Sequence, residues 1–279
     1  MNEKNSLIKM SNALIENVVI DPSLVRQKLV LLIMSKIRCA DEDFKTYELP
    51  VADLIAGLGL APESAYTRIE NEVVNLMKRI FLIKRLNAEG KLVRTRFAWF
   101  SFFETVEGAG TVKLRFDPAM KPYLIQLKAR FTTYPLACAL ALRSSYALRL
   151  YEYLKMEAAF KHEVYFELEA FKTLFEIDEA QAYKRYDHIK ARILLPALAE
   201  ISAKTDIKII GKLKETKKGR KVIGFKISFK AQPSPEEKIK AEERELALES
   251  LASSATSPSF LDPDALQFPE EKVLLDNIQ

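Results

Sequence analysis

A tyrosine working beside a metal held by paired histidines can cut a phosphodiester. The chain has ten tyrosines for that role but only two histidines, His162 and His188, 26 positions apart and in no His-apolar-His pair. Its two cysteines, Cys39 and Cys138, lie in separate apolar stretches with no CxxC pair of the kind that holds zinc. They read as buried free thiols. "GKLKET" (Gly211 to Thr216) lacks the Gly-x4-Gly-Lys-Ser/Thr spacing of a phosphate loop, and "EGAGT" (Glu107 to Thr111) reads as a turn between strands. These residues offer no catalytic group, no metal site and no cofactor site, so the expectation is a protein that is not an enzyme.

What the chain does offer is recognition. In "EAQAYKRYDHIKARILLPAL" (Glu179 to Leu198), Tyr186, Ile189, Ile193 and Ala197 recur at helical spacing as a core stripe. Steps of about 100° per residue put Lys184, Arg185, His188 and Arg192 on the opposite face. Cations at the head of a helix suit the major groove, where arginine clasps guanine through two hydrogen bonds and lysine or histidine donates to bases or phosphates. Downstream, Lys204 to Lys230 holds ten Lys/Arg against two acids. Within it a hairpin tip is expected at Lys217-Lys218-Gly219-Arg220, and Lys217, Lys218, Arg220 and Lys221 can lie along a phosphate strand.

The elements that would position these groups occur twice. "PESAYTRIENEVVNLMKRI" (Pro62 to Ile80) aligns with the stretch above at a spacing of 117 positions, pairing Ala65 with Ala182, Tyr66 with Tyr183, Arg68 with Arg185 and Leu76 with Ile193. Upstream, Leu54 pairs with Phe171 and Leu58 with Phe175. Each copy runs from a core helix ("SLVRQKLVLLIMSKI" and "YPLACALALRSSYALRLYEYLKM") through a short and a long helix to a hairpin. That order is a winged helix, and the expected fold is α+β, two tandem winged-helix domains related by internal duplication. The first hairpin is expected around Asn87–Lys91, matched to the second at a spacing of about 129.

The first copy reads DNA less well. Its exposed helix face would be Thr67, Arg68, Asn71 and Asn75, one cation where the second copy has four donors. Arg68, Lys91 and Arg94 could still touch a backbone. "RFAWFSFF" (Arg96 to Phe103) is apolar on both sides of an expected strand, whereas a half-buried strand alternates. Phe97, Trp99, Phe100 and Phe102 are its candidate dimer interface, and cover by the chain's own helices is the alternative.

At 279 residues and 48% hydrophobic, the chain suits two cored domains. No apolar run approaches the roughly 20 residues of a membrane span, and the first residues look unlike a signal peptide, so a cytoplasmic protein is expected. Residues 233–279 carry four Lys/Arg and eleven Asp/Glu, leaving 39 Lys/Arg and 27 Asp/Glu on residues 1–232. A basic body with an acidic tail suits a polyanionic partner. The expected organisation is residues 1–133 for dimerisation and auxiliary DNA contact, 134–232 as the main DNA reader, and 233–279 as an acidic, largely disordered tail. A winged-helix repressor or an interaction scaffold remains the alternative at this point.

Several segments together resemble the initiator replication proteins of iteron-containing plasmids: "KMSNALIEN", "SSYALRLYEYL", "YKRYDHIKARILLPALAEISAKTDIKI" and "GRKVIGFKISF". The resemblance covers about residues 6–230. It implies two winged helices that bind direct repeats of double-stranded DNA at a plasmid origin as monomers. It also implies dimers that bind an inverted repeat and repress their own gene, help in opening AT-rich DNA, and recruitment of the host initiator and replicative helicase. The same resemblance puts second-domain recognition on Lys184, Arg185, His188 and Arg192.

Overall fold

The computed structural model describes residues 6–17, 21–38, 40–87, 89–106, 108–125, 127, 130–177, 183, 185–235 and 237–241. A strand and a short helix come first, β1 (Leu7–Ser11) and α1 (Asn12–Asn17). In α2 (Leu24–Met34) the Ser23 side chain accepts from the Arg26 amide and starts the helix. Its run from Leu29 to Met34 is wholly buried, as an unbroken apolar sequence requires. β2 (Tyr47–Pro50) leads into α3 (Val51–Leu58), which ends where Gly59 takes the left-handed conformation at φ 65°. α4 (Pro62–Lys78) has proline at its first position and buries Ala65, Ile69, Val73 and Leu76.

Four strands follow: β3 (Phe81–Leu86), β4 (Leu92–Phe97), β5 (Phe100–Thr105) and β6 (Thr111–Phe116). A 3-10 turn at Pro118–Met120, α5 (Lys121–Leu124), β7 (Phe131–Pro135) and α6 (Leu136–Ala141) connect to the second copy. There, α7 (Ser145–Ala158), β8 (Glu163–Glu167) and α8 (Leu168–Leu174) precede the long helix. That helix comprises α9 (Tyr186–Ile189), a π-helical turn Lys190–Leu194 and α10 (Leu195–Lys204). β9 (Ile207–Lys218) and β10 (Lys221–Ala231) close the copy. Residues 1–236 form one contact unit and 237–279 another, of which 237–241 are described and helical.

The duplication is written in the strand register. The sheet orders are β2-β6-β5 and β8-β10-β9. Tyr47 faces Leu114 where Val164 faces Ile227, and Leu49 faces Val112 where Phe166 faces Phe225. The wing of the first copy is therefore β5–β6, closed by the turn after Thr105. The β3–β4 hairpin forms a separate two-stranded sheet between α4 and that wing, and nothing stands in its place between α10 and β9. This corrects the expectation that the Asn87–Lys91 hairpin is the counterpart of the Lys217–Arg220 tip.

Three further expectations change. "RFAWFSFF" is not one strand: β4 ends at Phe97, β5 starts at Phe100, and they belong to different sheets. Phe97 stacks on Tyr123 at 5.8 Å and Phe100 lies 5.2 Å from Phe116, each in the core. The run is apolar on both sides because the chain turns at Ala98–Trp99, and the Phe97 and Phe100 side chains, offered as interface residues, are buried within the first copy. The helix expected from Pro135 is two, because Ser144 caps a fresh start by accepting from the Ala147 amide. The short helix expected in the second copy starts only at Leu168 of "FELEAFKTLF", because Phe166 and Glu167 end β8. The β1–β7 pair binds the start of the chain to residues 131–135, across the 133/134 boundary.

Candidate nucleic-acid interface

An aromatic stack sets the long helix of the second copy on its sheet. Phe171 stacks on Phe175 at 4.2 Å, Phe166 lies 5.5 Å from Phe225, and Tyr186 lies 6.2 Å from Phe225. Ile189, Ile193 and Ala197 are buried against this base and Tyr186 is half-buried, which is the expected stripe. Leu194, Leu198 and Ile201 join them.

The cation face is less regular than a uniform helix would make it. Residues 178–182 and Lys184 lie outside the described residues. Arg185 sits at the N-cap with extended backbone, φ −99° and ψ 134°, one step before the helix. Its guanidinium, well exposed, meets Asp187 at 3.1 Å. His188 is half-buried on α9 and Arg192 is exposed on the π turn. That turn has a cause in the sequence. Pro196 has no N–H for the Arg192 carbonyl, and its ring would strike that carbonyl in a regular α-helix. The Leu195 amide instead reaches back to the Lys190 oxygen, the wider π spacing. The 100° steps therefore fail between His188 and Arg192.

The wing is a long twisted hairpin. Lys218 faces Lys221 and Lys217 faces Val222, so the loop is the two residues Gly219-Arg220, narrower than expected. Gly219 takes φ 63° at the first loop position, the sign required by a II′ turn. Lys217, Lys218, Arg220 and Lys221 are all exposed. A bulge between the Lys226 and Ser228 registers, at Gly211 with φ 67°, bends the hairpin midway.

One carboxylate joins helix to wing. Glu215 takes the Lys190 ammonium at 2.7 Å on Oε1 and the Lys217 ammonium at 3.2 Å on Oε2. The hydrogen bond from Lys190, with a further one from Lys217, holds the Glu215 carboxyl below its usual range. Glu215 pairs with Phe225 across the strands, so it lies on the helix-facing side where the core gives way to the wing. On the opposite face Glu163 receives Lys226 at 2.9 Å, Lys214 at 3.3 Å and the Ser228 hydroxyl at 3.2 Å. Those partners, Lys226 first, pull its carboxyl down to about 2.

In the first copy Thr67, Arg68, Asn71 and Asn75 are exposed on α4, as expected, with a single cation among them. Lys91 and Arg94 are exposed on the β3–β4 hairpin, where Arg94 faces Lys84 across the strands. Trp99 is half-buried with its ring edge-on to Phe81 at 5.4 Å, and Phe102 is half-buried beneath Arg115. The copies meet where Arg79, the C-cap of α4, pairs with Glu176 at 2.6 Å in the turn after α8. Among the described residues no cluster of His, Cys, Asp or Glu is arranged to hold a metal ion. Cys138 is buried and free, while Cys39 lies outside the described residues.

Sequence reasoning missed Lys190, Asp187 and Glu215. The lone acid inside the run of wing cations was the signal for Glu215, and Pro196 was the signal for the turn that carries Lys190.

The pattern described as "Initiator Replication protein, WH1" matches residues 7–155, and "Initiator Rep protein, WH2" matches residues 167–229. The chain belongs to the initiator replication protein family. This initiator is 26% identical over 214 residues to the PI protein of Escherichia coli, a match covering 66% of this chain and 69% of that one. Its fold is similar to that in the crystal structure of the Pi initiator protein in complex with iteron DNA, with a TM-score of 0.67. That match spans 83% of the initiator and 99% of the other chain at 21% identity. The β2-β6-β5 and β8-β10-β9 sheets of the initiator each carry the wing of one of its two winged helices. No described helix of the initiator is long and apolar enough to cross a membrane.

Proposed function

We propose that the initiator binds repeated duplex sites, iterons, at a plasmid replication origin. The head of α9 and the π turn read bases, and the β9–β10 tip grips phosphate. The observation that carries this reading is the double contact of Glu215. By holding Lys190 of the long helix and Lys217 of the wing on one carboxylate, it supports a single DNA-facing surface that also takes in Arg185, Arg192, Lys218, Arg220 and Lys221. Lys184 and His188 belong to the same proposal. The first copy adds backbone contacts through Arg68, Lys91 and Arg94. Work at the origin comes from binding energy and recruited partners, with no catalytic step, in the cytoplasm.

The proposed division of labour keeps the main reader in the second copy and self-association in the first. β5 is an edge strand with half-buried Phe102 and Phe103, and Trp99 lies just before it. Such an edge can pair with a second copy, which supports a dimer that binds an inverted repeat and represses the initiator's own gene. Host initiator and helicase complete the proposed partners, and the acidic tail beyond residue 241 lies outside the described residues.

Selection of duplexes from a random pool tests the reading. The wild-type protein is expected to enrich one motif of roughly 20 bp, two recognition helices a turn apart. Arg185→Ala/Arg192→Ala is expected to lose it. Equal recovery of all sequences by both proteins would leave phosphate attraction alone and favour the scaffold reading.

A further inference from the structure

A carboxylate within a surface built to meet phosphates weakens attraction to any DNA, so its presence there needs another reason. Glu215 is the one acid from Lys208 to Lys230, and both of its oxygens are engaged, one by the long helix and one by the wing. The helix partner, Lys190, opens the π turn that Pro196 imposes, and that turn also carries Arg192. The wing partner, Lys217, is two residues before the tip loop. Glu215 is only 19% exposed and Lys190 only 35%, so the contact is sheltered more than an ordinary surface pair.

We infer that Glu215 is a specificity-determining positioning residue. It fixes the wing against the reading helix so that the two meet DNA in one geometry. This rests on the second copy being the DNA reader. Without the strut, the wing is freer to shift against the π turn, and a duplex with the right bases no longer satisfies both as well at once. A duplex with the wrong bases never satisfied both, so it loses nothing and gains from the removal of a negative charge.

The test follows from these opposite signs. The full chain, as wild type and as Glu215→Gln, is titrated against a selected duplex and a scrambled one across a salt series. The expected result is weaker binding to the selected duplex and stronger binding to the scrambled one. Their ratio should fall by about tenfold, the scale of one charge-assisted hydrogen bond. The exchanged pair Lys190→Glu/Glu215→Lys, which keeps the net charge and restores a strut, should recover part of the ratio. Tighter binding of both duplexes by the same factor would reduce Glu215 to simple repulsion and overturn the inference. Equal weakening of both would make it a folding residue and overturn it as well. A wild-type protein that does not distinguish the duplexes would overturn the DNA-reading proposal itself, and this inference with it.

Discussion

Gly224 is where the wing joins the body of the second copy, and replacing it with alanine tests how rigidly that junction is built. It faces Glu167 on β8 and Thr216 on β9, so it lies in the central strand with neighbours on both sides. A Cβ added there would lie 2.7 Å from the Phe166 carbonyl oxygen and 2.6 Å from Cζ of Tyr165, with the Tyr165 hydroxyl closer still. The phenol ring is exposed and can swing away. The carbonyl belongs to the backbone and can recede only if β8 and β10 part. Ordinary contact begins at 3.4 Å, so the strands must open by about 0.7 Å or bend. Overpacking of this kind costs about 1–3 kcal/mol. Gly224→Ala should lower the urea midpoint by that energy divided by the unchanged slope, and Tyr165→Ala/Gly224→Ala should recover only part of it. A midpoint equal to wild type in the single variant, or complete recovery in the double, would refute the assignment of the clash to the backbone.

Other expectations are simpler to check. Glu163 holds its proton less tightly when folded, at about 2 against an ordinary 4.5, so the native state binds fewer protons than the unfolded chain between those values. Stability should therefore drop as pH falls from about 4.5 to about 2, and Glu163→Gln should flatten that slope in acid titrations followed by circular dichroism. Lys218→Ala/Arg220→Ala should make the salt dependence of DNA binding shallower by about one unit of slope per lost phosphate contact, while the selected motif stays the same. Glu176→Gln removes the partly exposed charge pair to Arg79 and leaves the contact of Arg79 with the buried Asp21 carboxylate in place, so thermal stability should change by less than about 1 kcal/mol at low salt and the difference should fade as salt rises. Phe102→Lys should reduce the dimer fraction in sedimentation if β5 is the contact edge, whereas Phe100→Lys, in the core, should unfold the protein.

The two winged helices were legible because apolar periodicity and end signals are local. Ile189, Ile193 and Ala197 sit at helical spacing, and Pro62 and Gly59 mark the ends of their elements as such residues do. What could not be read was pairing across distance. Nothing local in Phe81–Phe97 says that this hairpin stands apart while Val112, Leu114 and Phe116 take the register of Phe225, Ile227 and Phe229. The candidate site was legible as composition, a basic helix and a basic wing. Its geometry was not, because the π turn arises from the meeting of Pro196 with the Arg192 carbonyl. The Glu215 contacts depend on where that turn points Lys190. In "RFAWFSFF" the error was to assume one strand where the chain turns.

The pairing of β1 with β7 also bears on how the protein is made. Leu7 to Ser11 hydrogen-bonds with Phe131 to Pro135, and the Arg149 guanidinium donates at 2.6 Å to the Ile15 carbonyl, 134 residues earlier in the chain. Synthesis at about 5–20 residues per second leaves β1 and α1 waiting on the order of ten seconds for these later partners to leave the ribosome. Ile8, Met10 and Leu14, each buried in the finished protein, lack those partners in that interval. A chain lacking residues from Phe131 onward would leave β1 without its partner strand and should be cut by proteases more readily than the whole protein.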